Sequence, residues 1–171
     1  MILAAAGLRR LGHLVDTDTD NTDTVVKTLQ SQVLDHELML PAPGQGALAC
    51  EIHRSLSIEL RAAVATLDHP VSRAETLAER GFLAALQAGC TSPVGARAVV
   101  KSVRGTSLDL TLAAVIGKTL LSNLSEPTKT GPVLRLHVSG TTTDAEEFGT
   151  ACAGSALIKL REQSQQNARS Q

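Results

Sequence analysis

Between Pro70 and Ala88 apolar residues recur at steps of three and four. Ala74, Leu77, Ala78, Gly81, Phe82, Ala85 and Leu86 form one stripe, which predicts the strongest helix of the chain. Asp68 is the expected N-cap, with Ser72-x-x-Glu75 as an alternative capping-box start, and Gly89 is the expected stop. Beyond Pro93 the period changes to two. Ala96, Ala98 and Val100 alternate with Arg97 and Lys101, and Arg104-Gly105-Thr106-Ser107 reads as a turn. Leu108, Leu110, Leu112, Ala114 and Ile116 then alternate with Asp109, Thr111, Ala113 and Val115. After a loop through Pro127 and Pro132, Leu134, Leu136 and Val138 alternate with Val133, Arg135 and His137. A last helix is expected from about Thr143 to Arg161, with Ala145, Phe148, Cys152, Ala156 and Leu160 on one side. Gln163 to Gln171 reads as a disordered polar tail.

Residues 70–171 therefore predict helix, strand, strand, strand, helix. This is an α+β domain with a three-stranded antiparallel sheet and helices on one face. Residues 1–69 are patterned less clearly. Ile2–Ala4 looks like a buried strand end, Ala5–Leu11 a short helix stopped by Gly12, and Asp16–Asp23 an acidic loop. Val25–Leu34 predicts a helix or turn, Ala47–His53 a strand and Ser57–Leu67 a helix. Between them Pro41-Ala42-Pro43-Gly44-Gln45-Gly46 cannot be regular structure. These pieces are too few to close a core, so 1–69 reads as part of something larger.

Composition narrows the function. Sixteen Lys and Arg balance 17 Asp and Glu, which argues against a nucleic-acid or anionic-membrane surface. The only aromatics are Phe82 and Phe148, so there is no base-stacking platform and the core must be aliphatic. The apolar start is far shorter than a membrane span and lacks a basic leader, and the three cysteines are widely spaced. A cytoplasmic protein with free thiols is the expectation.

Gly44-Gln45-Gly46-Ala47-Leu48-Ala49 fits the dinucleotide pattern G-x-G-x-x-A, but a proline turn precedes it and no helix start follows. Asp16, Asp18 and Asp20 match the first positions of a calcium loop, yet Asn21 and Lys27 stand where Gly and Glu are required. Cys50 and His53 point to opposite faces of the expected strand, with Cys50 buried and His53 exposed. No metal site is expected. Cys152 reads as packing in the last helix. Cys90 is different, because it falls between helix and strand in Gly89-Cys90-Thr91-Ser92-Pro93. A loop thiol can be presented to a cleft, or it can be inert packing.

Three runs together resemble the porphobilinogen deaminase (hydroxymethylbilane synthase) family. They are Ile2-Leu3-Ala4-Ala5-Ala6-Gly7-Leu8-Arg9-Arg10-Leu11-Gly12, Leu40-Pro41-Ala42-Pro43-Gly44-Gln45-Gly46-Ala47-Leu48, and the stretch from Ala78 through Glu79-Arg80-Gly81-Phe82 to Gly89-Cys90-Thr91-Ser92-Pro93-Val94-Gly95. The resemblance implies a transferase that joins four porphobilinogen units into hydroxymethylbilane with release of ammonia. It implies a dipyrromethane cofactor held through a thioether at Cys90. It gives Arg10 a role on acetate and propionate groups, for which an Arg fork is suited. It places Gln45 and Gly46 along the catalytic cleft and Arg80 on the helix before the cysteine, where Arg80 can equally be a structural ion-pair partner. Thr91 and Ser92 would steady the cofactor.

The resemblance also implies that the chain is a C-terminal fragment. Residues 70–171 would be the cofactor-carrying third domain, and 1–69 an incomplete α/β remnant of domain two plus the crossover to domain one. No aspartate here can be assigned the family's catalytic role. The fragment is thus expected to be inactive, to carry no dipyrromethane, and to be able to form a homodimer through exposed edges. The rival is a stand-alone, non-catalytic binding module with the same fold. A thiol enzyme pairing Cys90 with His69 or His137 lacks family-like spacing.

Overall fold

A computed structural model describes residues 2–13, 32–89, 91–117 and 133–169. The chain divides into two compact units, Met1–Leu38 and Met39–Gln171. In the first, α1 spans Ala5–Arg10 and buries no residue. Gly12, at φ +71°, ends it: its N–H donates to Arg9 O at 3.0 Å while His13 N–H reaches back to Leu8 O at 2.8 Å. These paired bonds satisfy two of the carbonyls a helix end leaves open. Ile2 and Leu3, expected in a buried strand end, are 67% and 55% exposed and extend without strand pairing. An apolar run becomes a strand only when another backbone pairs with it, and none does so among the described residues. The acidic loop Asp16–Asp23 and most of Val25–Leu34 lie outside the described residues.

The second unit holds α2 (Ile58–Ala65), α3 (Pro70–Ala85), β1 (Val94–Arg104), β2 (Ser107–Ile116), β3 (Leu134–Thr142) and α4 (Ala145–Arg169). The strands pair antiparallel in the order β1-β2-β3. Ala98, Leu112 and Val138 lie abreast in this register, as do Ala96, Ala114 and Leu136. The alternation therefore puts one apolar row on one face, where α3 and α4 cover it. Phe82 and Ala78 of α3, Leu110, Leu112 and Ile116 of β2, and Ala153 and Leu160 of α4 form the centre of this core. With a single buried phenyl ring, small side chains fill the space by close approach. At the crossing of α3 and α4, a Cβ added to Gly149 would stand 1.9 Å from Ala78 O, and one added to Gly81 would stand 2.3 Å from Glu146 O.

Several local expectations need correction. The cap of α3 is His69, not Asp68: His69 Nδ1 accepts from Ser72 N–H at 3.3 Å, and Asp68 instead pairs with Arg73 at 3.2 Å. The helix stops before Gly89. Gln87 takes the left-handed conformation at φ +52°, with Gln87 N–H on Ala84 O and Ala88 N–H on Leu83 O. Ser57 caps α2, its Oγ accepting from Leu60 N–H at 3.3 Å. Residues 47–53 form no strand, and Cys50 is exposed rather than buried. The open strand edge expected to drive pairing between copies is therefore absent there. The polar tail is helical to Arg169, since a helix already nucleated propagates through residues with no Gly or Pro to stop it.

Candidate functional site

Pro41 to Ala47 fold into two successive turns. Gln45 N–H donates to Ala42 O at 3.0 Å, and Ala47 N–H donates to Gly44 O at 3.1 Å. Gly44 and Gly46 occupy the third position of each turn at φ +74° and +85°. Proline before glycine at the centre of a turn is the sequence that the type II geometry requires, because only Gly enters positive φ without strain. The segment is thus shaped by its own sequence. Gln45 and Gly46 are both exposed on it.

What holds this turn is Glu79, the buried charged residue of α3, at 9% exposure. Its Oε2 accepts from Gly44 N–H at 2.6 Å and its Oε1 from Ala98 N–H at 2.8 Å. Glu75, one turn earlier, accepts from Val100 N–H at 2.9 Å, and Pro41 O accepts from Ala96 N–H at 3.0 Å. β1 is an edge of the sheet, so its outward N–H groups need partners. A carbonyl and two carboxylates supply them at alternate residues. Leu40 also packs on Gly95, where an added Cβ would meet Leu40 O at 3.0 Å. Burial pushes the Glu79 carboxyl above the ordinary range, against the two N–H bonds that pull it down; Glu75 adds to the rise and Arg97 opposes it.

Cys90 lies outside the described residues. Its neighbours are tied together: Ser92 N–H donates to Gly89 O at 3.0 Å, and Gly89 N–H donates to Ser92 Oγ at 2.9 Å. A hydroxyl accepting one bond keeps its proton to donate. Thr91 is exposed and Ser92 half-buried. Arg80 is exposed on α3, with no ion-pair partner among the described residues. Arg10 is exposed on α1, in the other unit. The structure thus brings the Gly44–Gly46 turn against α3 and β1, the two elements on either side of Cys90. Glu79 was missed at the level of sequence. Its signal was an acid directly beside the apolar stripe, four residues after Glu75. The Cys152 thiol is buried in the core, which raises its pKa. Among the described residues no group of three His, Cys, Asp or Glu stands together to hold a metal, and no helix is long and apolar enough to cross a membrane.

Residues 73–157 match the family description "Porphobilinogen deaminase, C-terminal domain", and residues 1–58 match "Porphobilinogen deaminase, dipyromethane cofactor binding domain". The chain is 44% identical over 138 residues to porphobilinogen deaminase 1 of Streptomyces coelicolor, covering 80% of this chain and 39% of that protein. It is 36% identical over 170 residues to porphobilinogen deaminase of Cutibacterium acnes, covering 93% of this chain and 47% of that protein. The chain belongs to the porphobilinogen deaminase family, a family of haem biosynthesis. It spans less than half the length of these relatives.

Proposed function

We propose that the chain is the C-terminal portion of a transferase that condenses four porphobilinogen units into hydroxymethylbilane with release of ammonia. The observation that supports this best is the glycine turn Gly44–Gly46 clasped between α3 and β1, which flank Cys90 in sequence. In this reading Cys90 anchors dipyrromethane through a thioether. Sulfur suits the role, since a thiolate is the strongest side-chain nucleophile toward an electron-poor methylene carbon. When bound, the group supplies the end to which successive porphobilinogen units are joined. Anchoring makes each joining step effectively intramolecular. Thr91 and Ser92 offer hydroxyl donors beside the anchor. Arg80 and Arg10 are exposed guanidinium forks matched to acetate and propionate groups. Gln45 and Gly46 line the cleft, where the absence of a Cβ at Gly46 lets a ligand approach the backbone.

By itself the chain forms no hydroxymethylbilane and its Cys90 stays a bare thiol, because no aspartate of its sequence falls in a run that matches the family's catalytic position. The test joins this chain to the N-terminal portion of the Streptomyces coelicolor relative, in place of that protein's own matching segment. The expected result is a chimera with a mass excess of two pyrrole rings and product formation, both abolished by Cys90→Ser. A Cys90→Ser chimera that keeps the added mass would overturn the anchor. Turnover by the chain alone, above its Cys90→Ser control, would overturn the inactivity of the isolated chain.

A further inference from the structure

We propose that Glu79 is a positioning residue, whose carboxylate seats the Gly44-Gln45-Gly46 turn against the two elements that lead into and out of Cys90. The proposal rests on the reading of Cys90 given above for its consequence in turnover, but not for the latch itself. The two oxygens of Glu79 are divided between two segments far apart in sequence. One takes Ala98 N–H, in the strand after Cys90; the other takes Gly44 N–H, in the turn. Glu75 supplies the contrast. It accepts from β1 alone, at Val100, so it serves the strand edge and not the turn. The turn holds its own shape through its internal bonds, but that shape does not say where it sits. Its seat comes from Glu79, from Pro41 O on Ala96 and from Leu40 on Gly95. Of these three, the Glu79 bond alone reaches the glycines. Gln45, exposed at the tip, is held at a defined distance from α3 only through its neighbour Gly44.

A carboxylate is the right group for this. It presents two acceptors and no donor, so it can take two N–H groups at once. An amide of the same size presents one acceptor and one donor, and must turn its NH2 toward one of the two N–H groups. Glu79→Gln should therefore release the less constrained partner, Gly44, and keep Ala98, which the sheet holds. The experiment is amide hydrogen exchange on the full chain, for the parent, Glu79→Gln and Glu75→Gln. Gly44 exchange is expected to rise at least tenfold in Glu79→Gln, with Leu110 and Leu112 unchanged, and to stay at the parent rate in Glu75→Gln. Unchanged exchange at Gly44 would overturn the proposal, and so would an equal rise at every amide, which marks lost stability rather than lost seating.

A measurement without any variant guards against a Gln chain that does not fold. As pH is lowered on the parent, the amide resonances of Gly44 and Ala98 should move with one common midpoint, that of Glu79. Its charged neighbours are Glu75 and Arg97. Independent midpoints for Gly44 and Ala98 would overturn the latch. In the chimera, Glu79→Gln is expected to retain the two-ring mass excess while kcat falls at least fivefold. Full kcat in that variant would overturn the positioning role. A parent chimera lacking the mass excess would instead defeat the assignment of Cys90, with the latch still decided by exchange at Gly44.

Discussion

Replacing Gly149 by alanine sets two effects of opposite sign against each other. Gly149 is buried inside α4, and in a helix interior Gly→Ala gains about 1 kcal/mol from helix propensity alone. The added Cβ, however, would lie 1.9 Å from the carbonyl oxygen of Ala78, 2.7 Å from its carbon and 3.0 Å from its Cα. All three atoms are backbone of α3, so no side chain can swing away. Relieving the contact requires the helices to part by roughly 1 Å, in an interior packed like a crystal. Gaps of that size forfeit a quarter to a half of each dispersion contact along the crossing. Overpacking of this kind costs about 1–3 kcal/mol and occasionally more. Because backbone meets backbone, the upper end applies, and the net loss should be about 2 kcal/mol after the propensity gain. Gly154 is the internal control: it lies in the same helix, is exposed and has nothing within 4 Å of an added Cβ. Gly154→Ala should stabilise by up to about 1 kcal/mol. Urea unfolding followed by far-ultraviolet circular dichroism measures both, since a chain with no Trp or Tyr offers little fluorescence. Thermal midpoints should separate in the same sense, by about 2–4 °C for each kcal/mol. A Gly149→Ala chain as stable as the parent would mean that α3 and α4 do not meet through their backbones.

Two further outcomes follow from the same core and clasp. The Glu79 carboxyl holds its proton more tightly in the fold than in the unfolded chain, where its ordinary value is 4.5. Parent stability relative to Glu79→Gln should therefore fall as pH rises from 4.5 through the raised native value, and level off above it; a relative gain over that range in urea titrations would contradict the burial of this carboxyl. Cys152 is 2% exposed with its thiol pKa raised by burial, while Cys50 is exposed. Iodoacetamide should label Cys50 well before Cys152 in the native chain, by peptide mass, and equal rates would show an open core.

The elements of the α+β unit were legible because their signals are local and repeated. A stripe at steps of three and four over α3, and strict alternation through β2, each place many residues on one face, and a single register satisfies them all. The break in regular structure at Pro41-Ala42-Pro43-Gly44-Gln45-Gly46 was likewise legible, and the fold resolves it into two type II turns with Gly44 and Gly46 at positive φ. The cysteine-bearing motif and its family were legible as a run of residue types. What tertiary structure decided was everything that depends on a partner distant in sequence. Residues 47–53 alternate like a strand, but strandedness requires a second backbone, and none among the described residues pairs with them. His69 caps α3 rather than Asp68, a choice of one residue that periodicity does not resolve, since the stripe begins only at Ala74. Gln87 adopts the left-handed conformation although Gly89 stood two residues on. Glu79 stood beside the apolar stripe with nothing in the sequence to name its partners, which β1 and the glycine turn supply only in the fold. Its burial, its two N–H partners and its raised pKa arise from segments 19 and 35 residues away, and only the folded chain brings them together.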